Sequence, residues 1–323
     1  MQKIIIIHDK LKQSPSLDEQ DTVNEIQQVR HALARRNFRT QTMEFSFNFE
    51  EMEKHTKSYD CIFNLTETLG GSSLLYLPPL YFEQFKSKFT GVDSTGMYLT
   101  SDKLLTKKIL NINNIPCPDS ISLEDFSKAK KFLNKPLIIK PVNQEASVGI
   151  NDKSIRTFKS EKELKEALSS SKELYFAEDF IDGREFNISV IMEDGKPFVL
   201  PPAEMKFIDY PEGKPKIVGY EAKWAESSFE YTHTKRCFSY DDSDKALIES
   251  LKVLCIKIYS LFCKKGYIRV DLRLDKKENP FVMEINANPC ISKDSGFTAA
   301  NLEAGFNYNT MIRKIVEQAL KEE

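Results

Sequence analysis

Four consecutive isoleucines, residues 4–7, stand near the start of the chain. This run is too short for a membrane span or for the core of a signal peptide. It is typical of a strand that is covered on both faces in a parallel sheet. The patterns that follow predict a helix within 18–37, an apolar strand at 59–65, a helix within 74–85 and a short strand at 88–93. Strands and helices therefore alternate over the first ~95 residues, which predicts an α/β fold with a parallel sheet.

Length and charge narrow the class of protein further. The 323 residues are too many for one small core, so two or three subdomains are expected. The formal net charge of −2, from 46 basic and 48 acidic residues, gives no electrostatic reason to expect nucleic acid or a membrane as a partner. The six cysteines include no C-x-x-C pair, and we expect a cytoplasmic compartment.

The rest of the chain carries further helix and strand signals. Thr100 or Ser101 is predicted to cap a helix, and the amphipathic pattern after residue 241 predicts a helix closed by Gly266. Asp194 and Gly195 predict the turn of a hairpin. Residues 206–238 are rich in charge, glycine and aromatics, and we interpret them as a long functional loop with short strands. Other predicted elements are a strand at 136–142, a small-residue loop at 143–150, a helix at 161–171 and a strand at 174–181.

Two strands near the C-terminus place polar side chains on one face. In "YIRVDLRLD", Ile268, Val270, Leu272 and Leu274 share one face, and Tyr267, Arg269, Asp271 and Arg273 share the other. In "FVMEINANP", the same alternation separates Phe281, Met283 and Ile285 from Val282, Glu284 and Asn286. The short "KKEN" turn between the strands predicts that they are antiparallel neighbours.

This arrangement brings Asp271, Glu284 and Asn286 together on one face. Their oxygens are hard donors of the kind that Mg²⁺ prefers in combination with phosphate oxygens and water. Arg269 beside them could hold a phosphate or a developing anion. An exposed sheet face with salt bridges is the other interpretation of the same pattern.

Lys140 ends the apolar strand "PLIIK", directly before the small-residue loop. The segment "EASVG" offers backbone N–H groups with little side chain in the way, as a phosphate cradle requires. A surface lysine before an ordinary turn is the alternative. The sequence has no P-loop, no G-x-G-x-x-G, no H-E-x-x-H and no G-x-S-x-G motif, which argues against the corresponding nucleotide-binding and hydrolase classes.

Taken in order, five segments resemble the ATP-grasp superfamily and, within it, the D-alanine–D-alanine ligase-like enzymes. They are "SDKLLTKKIL", "PLIIKPVNQEASVGI", "AEDFIDGREFNISV", "YEAKW" and "YIRVDLRLD…FVMEINANPCIS". The resemblance covers nearly the full chain. It implies an ATP-grasp fold with an N-terminal parallel-sheet α/β domain (1–97), a central lobe (98–183) and a C-terminal lobe with the metal site and a lid loop (184–323), the two lobes sandwiching ATP.

The resemblance also implies roles for individual residues. The metal ligands are Asp271, Glu284 and Asn286, holding two Mg²⁺ with Mn²⁺ as a substitute. The nucleotide contacts are Lys103, Lys140, Glu178, Phe180, Ile181, Glu185 and Met283, with adenine at Glu178, Met283 and the backbone of Phe180 and Ile181, ribose at Glu185, and phosphates at the two lysines. Lys223 reaches the phosphate from the mobile loop, Ser147 lies in the loop that closes over the phosphates, and Arg269 stabilises the tetrahedral intermediate. Ser295 holds a substrate carboxylate.

The implied activity is an ADP-forming ligation of an amino acid or small peptide through an acylphosphate, with homodimerisation as a family expectation. Three positions depart from the pattern of D-alanine–D-alanine ligases: Ala146 stands for a serine, Trp224 for a tyrosine, and Cys290 for the glycine after Pro289. The "TETLGGSSLL" turn also differs. The departures at Ala146 and Trp224 predict that D-alanine alone is a poor substrate and that at least one partner is a bulkier amino acid or a peptide. A true D-alanine–D-alanine ligase with a rearranged pocket and a non-catalytic ATP-binding regulator are the alternatives.

Overall fold

The computed structural model describes residues 1–11, 17–69, 72–144, 147, 149–169 and 174–321, and confirms a mixed α/β architecture. In this part of the chain the strands are β1 (Lys3–His8), β2 (Arg39–Glu44), β3 (Cys61–Leu65), β4 (Ser120–Ser122), β5 (Pro136–Pro141), β6 (Ile155–Thr157), β7 (Tyr175–Asp179), β8 (Glu185–Glu193), β9 (Lys196–Val199), β10 (Ala203–Phe207), β11 (Thr234–Cys237), β12 (Tyr267–Leu274) and β13 (Pro280–Ala287). The helices are α1 (Leu17–Ala34), α2 (Phe49–Thr56), α3 (Leu77–Gln84), α4 (Ser94–Ser101), α5 (Lys103–Ile112), α6 (Glu161–Leu168), α7 (Tyr220–Trp224), α8 (Phe229–His233), α9 (Lys245–Phe262), α10 (Gly296–Glu303) and α11 (Tyr308–Lys321).

The N-terminal sheet is parallel, as the isoleucine run predicts, with the order β2-β1-β3. Residues 4–7 are all buried, because helices and strands cover both faces of β1. The edge strand β2 and helix α2 were not predicted, since "RTQTME" is polar and lies at an edge of the sheet. The predicted strand at 88–93 is wrong: Phe89 makes only an isolated bridge to Ile62 before the chain turns to Asp93, the N-cap of α4.

The last helices of the chain return to this first sheet. Ile312 and Val316 of α11 share one hydrophobic core with Ile4 and Ile6 of β1 and with Val29 of α1. The packing therefore ties the two ends of the chain together. It also fixes α10, the helix that follows the polar end of β13, against the N-terminal unit.

Two helix boundaries differ from the predictions. Thr100 and Ser101 do not cap a new helix but end α4, where their hydroxyls donate to backbone carbonyls four residues back. Asp102 is the N-cap of α5 and accepts from a backbone N–H through its carboxylate. Helix α9 ends at Phe262, before Gly266, which has a positive φ of 81° and passes so close to Gly91 that an added Cβ would lie 2.3 Å from its carbonyl carbon.

Two more sheets form from the described residues that follow. One is a four-stranded antiparallel sheet with the order β4-β7-β5-β6. The other has the order β11-β10-β8-β12-β13, with β9 paired to β8 through the predicted hairpin. The three sheets fall within the segments 1–97, 98–183 and 184–323, while the domain boundaries themselves stay a prediction.

The segment 206–238, called the lid below, is more ordered than the sequence suggested. It contains the short helices α7 and α8 and the strand β11, which pairs with β10. None of the helices in the described part of the chain combines the length and the apolar character that a membrane crossing requires.

Candidate active site

A cleft of about 1270 Å³ opens between the sheets and the lid. Most of the predicted site residues line it: Lys103, Lys140, Ser147, Phe180, Glu185, Lys223, Trp224, Arg269, Asp271, Met283, Glu284, Asn286 and Ser295. Glu178 and Ile181 are not among its lining residues, so their contact with adenine stays a prediction. Ala146 lies outside the described residues.

The paired strands β12 and β13 bring the acidic side chains together as predicted. In the ladder Asp271 lies opposite Glu284, and Arg269 lies opposite Asn286. The guanidinium of Arg269 donates two hydrogen bonds to the Asp271 carboxylate, at 2.7 and 2.9 Å. Asn286 and Asn187 each donate a side-chain N–H to the same carboxylate, at 3.0 and 2.9 Å. Asp271 is therefore held in place by three neighbours.

Asn187 is a part of this site that the sequence argument missed. It lies on β8, the strand that pairs with β12, directly opposite Asp271. The signal was present, because Glu185 and Asn187 are two residues apart and so share one face of the strand. Only the pairing of β8 with β12, which is not evident from the sequence, brings that face to the cleft.

The predicted alternation of Phe281, Met283 and Ile285 on one face of β13 is wrong, because the strand contains a β-bulge. The register shifts between Asp271 and Leu272, so that Met283 is an extra residue in its strand. Val282 and Ile285 consequently lie in the hydrophobic core, although strict alternation would put them on opposite faces. The bulge turns Met283 towards the cleft together with Glu284.

Glu284 forms an ion pair with Lys103, whose Nζ lies 2.7 Å from its Oε1. The same Nζ donates to the backbone carbonyl of Gln144 at 2.6 Å, in the loop after β5. Burial acts to raise the pKa of Glu284, but the positive charge of Lys103 outweighs it and lowers the pKa to about 2. The carboxylate is therefore ionised at neutral pH, as a metal ligand must be.

Lys140 is positioned by a fully buried carboxylate behind the cleft. Glu178 on β7 forms ion pairs with Lys140 at 2.5 Å and with Lys107 of α5 at 2.6 Å. Burial opposes ionisation of Glu178, yet Lys107 and Lys140 lower its pKa below the ordinary value. Since both carboxylate oxygens are engaged, Glu178 fixes the direction of Lys140 along the sheet.

The lid lies against the small-residue loop that follows β5. The Ser147 hydroxyl donates to the backbone carbonyl of Val218 at 2.9 Å, and the Tyr220 N–H donates to the carbonyl of Ile150 at 3.0 Å. Lys223 of α7 then reaches the cleft, where burial first and the nearby Arg269 second lower the pKa of its ammonium. Asp271, Glu284 and Glu185 act in the opposite direction on the pKa of Lys223, so cations and carboxylates alternate at this place.

The other end of the cleft has apolar walls. Ile138, Met205 and Leu272 line it beside Phe180 and Met283. Glu185 lies at its edge, 3.7 Å from Arg273, and burial raises the pKa of this carboxyl above its ordinary value. Flat apolar surface next to a carboxylate suits a purine ring with its ribose. Ile138 could not be singled out from the sequence, because it lies in an ordinary apolar strand pattern. Met205 stands between Glu204 and Lys206 and gave no signal of its own.

Ser295 begins helix α10, and its hydroxyl accepts the backbone N–H of Thr298 at 3.2 Å. Ser295 and Gly296, at the start of this helix, line the cleft, and the first N–H groups of a helix suit an anion such as a carboxylate. Trp224 also lines the cleft from α7. Arg236 of β11, which the sequence did not single out, lines it as well; burial first and Arg269 second lower the pKa of its guanidinium.

The chain is similar to known proteins in sequence. The family model described as "D-ala D-ala ligase C-terminus" matches residues 118–317. The D-alanine–D-alanine ligase of Marinomonas sp. (strain MWYL1) is 29% identical over 240 residues, which cover 73% of this chain and 71% of that protein. An uncharacterized protein, y4sG, of Sinorhizobium fredii (strain NBRC 101917 / NGR234) is 26% identical over 262 residues, which cover 80% of this chain and 74% of that protein.

Solved structures show the same fold. The D-alanine–D-alanine ligase from Bacillus anthracis complexed with ATP matches with a TM-score of 0.74 and 19% sequence identity. The match covers 99% of this chain and 98% of that chain. This likeness confirms the fold that was predicted from the sequence.

Proposed function

Because the chain belongs to the D-alanine–D-alanine ligase family and is an ATP-dependent carboxylate–amine ligase, we propose that its cleft joins a carboxylate of one amino acid or small peptide to an amine of another through an acylphosphate. The observation that supports this most is the convergence of Lys103, Lys140 and Lys223 with Asp271 and Glu284 in one cleft. Cations and metal-type oxygen donors meet in this way where phosphate is transferred.

The donor set fits the metal on which the family depends. Asp271, Glu284 and Asn286 offer carboxylate and amide oxygens, which suit Mg²⁺ and its physiological substitute Mn²⁺. We propose two ions at this site, as the resemblance to the ATP-grasp ligases implies. When bound, they would neutralise charge on the phosphoryl group that is transferred.

The residues around this site bind and orient the reactants. Lys103 and Lys140 would hold the ATP phosphates, and Lys223 would approach them from the lid. Phe180 and Met283 would pack on adenine, with the ribose at Glu185. All six of these residues line the same cleft, namely Lys103, Lys140, Phe180, Glu185, Lys223 and Met283.

The proposed chemistry needs no nucleophile from the protein. A carboxylate oxygen of the acid attacks the γ-phosphorus, ADP leaves, and an acylphosphate forms. The amine nitrogen then attacks the acyl carbon, phosphate leaves with that oxygen, and the amine gives up a proton. Arg269 would stabilise the tetrahedral anion, and the lid closed through Ser147 would exclude water from the acylphosphate.

A homodimer is also part of the proposal, and light scattering of the purified chain tests it.

Nucleotide is expected to protect the lid from protease. Phosphates bound at Lys223 would add ionic contacts that hold the lid on the loop at Ser147. Limited trypsin digestion should cut within 206–238 more slowly when Mg²⁺ and a non-hydrolysable ATP analogue are present. Cleavage in the exposed turn at Lys276 and Lys277 serves as the internal control and should not change. Equal cleavage of the lid in the two states would show that it is a static structural segment.

D-alanine is expected to be a poor substrate. Where the D-alanine–D-alanine ligases carry a hydroxyl on tyrosine, this chain presents the indole of Trp224, and Ala146 also lacks the hydroxyl of a serine. Each lost hydrogen bond to a charged substrate is worth about 1.5–3 kcal/mol, and two losses correspond to ~100-fold or more in selectivity. Trp224 can instead pack on a larger side chain.

The test is a panel of D- and L-amino acids and dipeptides, with ADP release and product masses measured for each. We expect D-alanine to give a low kcat/KM beside a bulkier amino acid or peptide. Trp224→Tyr, which restores the phenol, should raise the relative kcat/KM for D-alanine. If D-alanine gives the highest kcat/KM of the panel, the chain is a true D-alanine–D-alanine ligase. If no compound releases ADP, the non-catalytic alternative stands.

A further inference from the structure

Several carboxylates gather at the part of the cleft that adjoins α10. We call Asp9, Asp21, Glu25, Glu67 and Asp294 the acidic cluster. They come from the position directly after β1, from α1, from the turn after β3 and from the segment before α10, so no single stretch of sequence reveals them. All but Glu25 line the cleft, and Glu25 lies fully buried behind them. The proposed function gives these side chains no role.

Direct contacts hold the cluster together. The ligand atoms of Glu25, Glu67 and Cys290 all lie within 4.8 Å of one another. The Cys290 thiol donates to Asp21 at 3.1 Å, and the backbone N–H of Ile291 donates to Glu25 at 2.5 Å. The carboxylates are thus close neighbours, and each one that is ionised repels the next.

Asp9 presents an unpartnered oxygen at the cleft. Asp9 is only 7% exposed; its Oδ2 accepts backbone N–H groups of Glu67 and Thr68 at 2.6 and 3.0 Å. Its Oδ1 has no hydrogen-bond partner within the described residues. Burying an acceptor without a partner is costly. This oxygen therefore points to a donor that a ligand supplies.

The cluster has no paired lysine or arginine in the described part of the chain. Arg236 lines the cleft near Asp294, but these two described residues form no ion pair. Burial raises the pKa of Asp9, and burial together with the charge of Asp21 raises the pKa of Glu25 to about 7. A bound cation would relieve this repulsion.

We propose that the acidic cluster is a subsite for a substrate that carries at least two positive charges, namely a basic amino acid with an α-ammonium and a side-chain ammonium or guanidinium. The proposal rests on the ligase function above and names its substrate class. A single α-ammonium would neutralise one carboxylate and leave the rest of the cluster without a counter-ion. A second positive charge on the side chain would pair with another carboxylate of the cluster.

A metal ion is a weaker match to the same side chains. Burial and the charge of Glu25 raise the pKa of the Cys290 thiol well above its ordinary value. A metal needs the thiolate instead. The thiol, moreover, already donates to Asp21. An organic cation that donates several N–H bonds fits acceptor-only carboxylates better.

The test compares lysine with norleucine, which has the same chain length and lacks the side-chain ammonium. Binding of each, in both stereochemical forms, is measured by calorimetry with the full chain, Mg²⁺ and a non-hydrolysable ATP analogue. One form of lysine should bind at least ~10-fold tighter than the matching norleucine, as one charge-assisted contact provides. Asp21→Asn and Glu67→Gln should move the ratio of the two affinities towards one. Glu249→Gln, on the exposed face of α9, should leave the ratio unchanged.

The outcomes separate this inference from the ligase function. Equal affinity for lysine and norleucine, or a ratio that neither cluster variant alters, would overturn the subsite. Stoichiometric zinc that is lost in Cys290→Ser would overturn it in favour of a metal site. ADP release with neutral amino acids only would leave the ligase function standing and remove the subsite. A lysine preference in binding without any ADP release would support the subsite and remove the ligase function.

Discussion

Glu284→Gln is expected to abolish ADP release while the protein stays folded. The side chain keeps an oxygen that accepts from Lys103, which lies 2.7 Å away, but loses the negative charge that a metal ion requires. Since Lys103 lowers the pKa of Glu284 to about 2, the wild-type carboxylate is charged at every pH at which the assay would be run. A metal ion contributes several kcal/mol to phosphoryl transfer, and a loss of ~4 kcal/mol corresponds to ~10³-fold in rate.

The measurement is ADP release at saturating Mg²⁺ beside thermal unfolding of the same protein. Glu249→Gln is the matched control, because this glutamate lies on the surface of α9, outside the cleft, and pairs with Lys252. It should change neither quantity. Normal ADP release by folded Glu284→Gln protein would remove Glu284 from the metal site.

Arg269→Met is expected to lower kcat by about 10²–10³-fold, which is the usual cost of removing one preorganised donor from a developing anion. Burial opposes the charge of Arg269, but Asp271 outweighs it and raises the pKa of the guanidinium, so the charge is permanent. The KM for ATP should change much less than kcat, because the guanidinium would act on the tetrahedral intermediate rather than on ATP.

A purely structural role for Arg269 would give another pattern. Asp271 keeps hydrogen bonds from Asn187 and Asn286 in the variant, so the strands should stay paired. Arg156→Met, on β6, is the control for loss of an arginine outside the cleft. A drop in unfolding temperature with unchanged kcat in the remaining folded protein would argue against a role of Arg269 in the reaction.

Local patterns were sufficient to predict the strands that form the centre of the site. The isoleucine run could only be a buried strand, and the polar face of "YIRVDLRLD" could be read from a period of two residues. The neighbouring pair Asp271 and Glu284 followed from one short turn between two strands. These features depend on residues that are close in sequence, where the periodicity of side chains carries the information.

Features that depend on distant contacts could not be predicted in the same way. The bulge at Met283 changes which face of the sheet every later residue of β13 occupies. It is set by the pairing with β12 rather than by the local sequence. Asn187 reaches the site only because β8 pairs with β12. The acidic cluster is assembled from four separate segments, so its charges appear in the sequence as ordinary surface carboxylates.

Transfer of ¹⁸O tests the acylphosphate mechanism most directly. The amino acid or peptide that gives the fastest ADP release is labelled with ¹⁸O in its carboxylate and incubated with ATP, Mg²⁺, the amine substrate and the protein. One carboxylate oxygen becomes the bridge to phosphorus in the acylphosphate and leaves with the phosphate when the amine attacks. The account predicts one ¹⁸O in each phosphate released. Phosphate without the label, formed at the same rate as ADP, would mean that water attacks ATP and would contradict the proposed ligation.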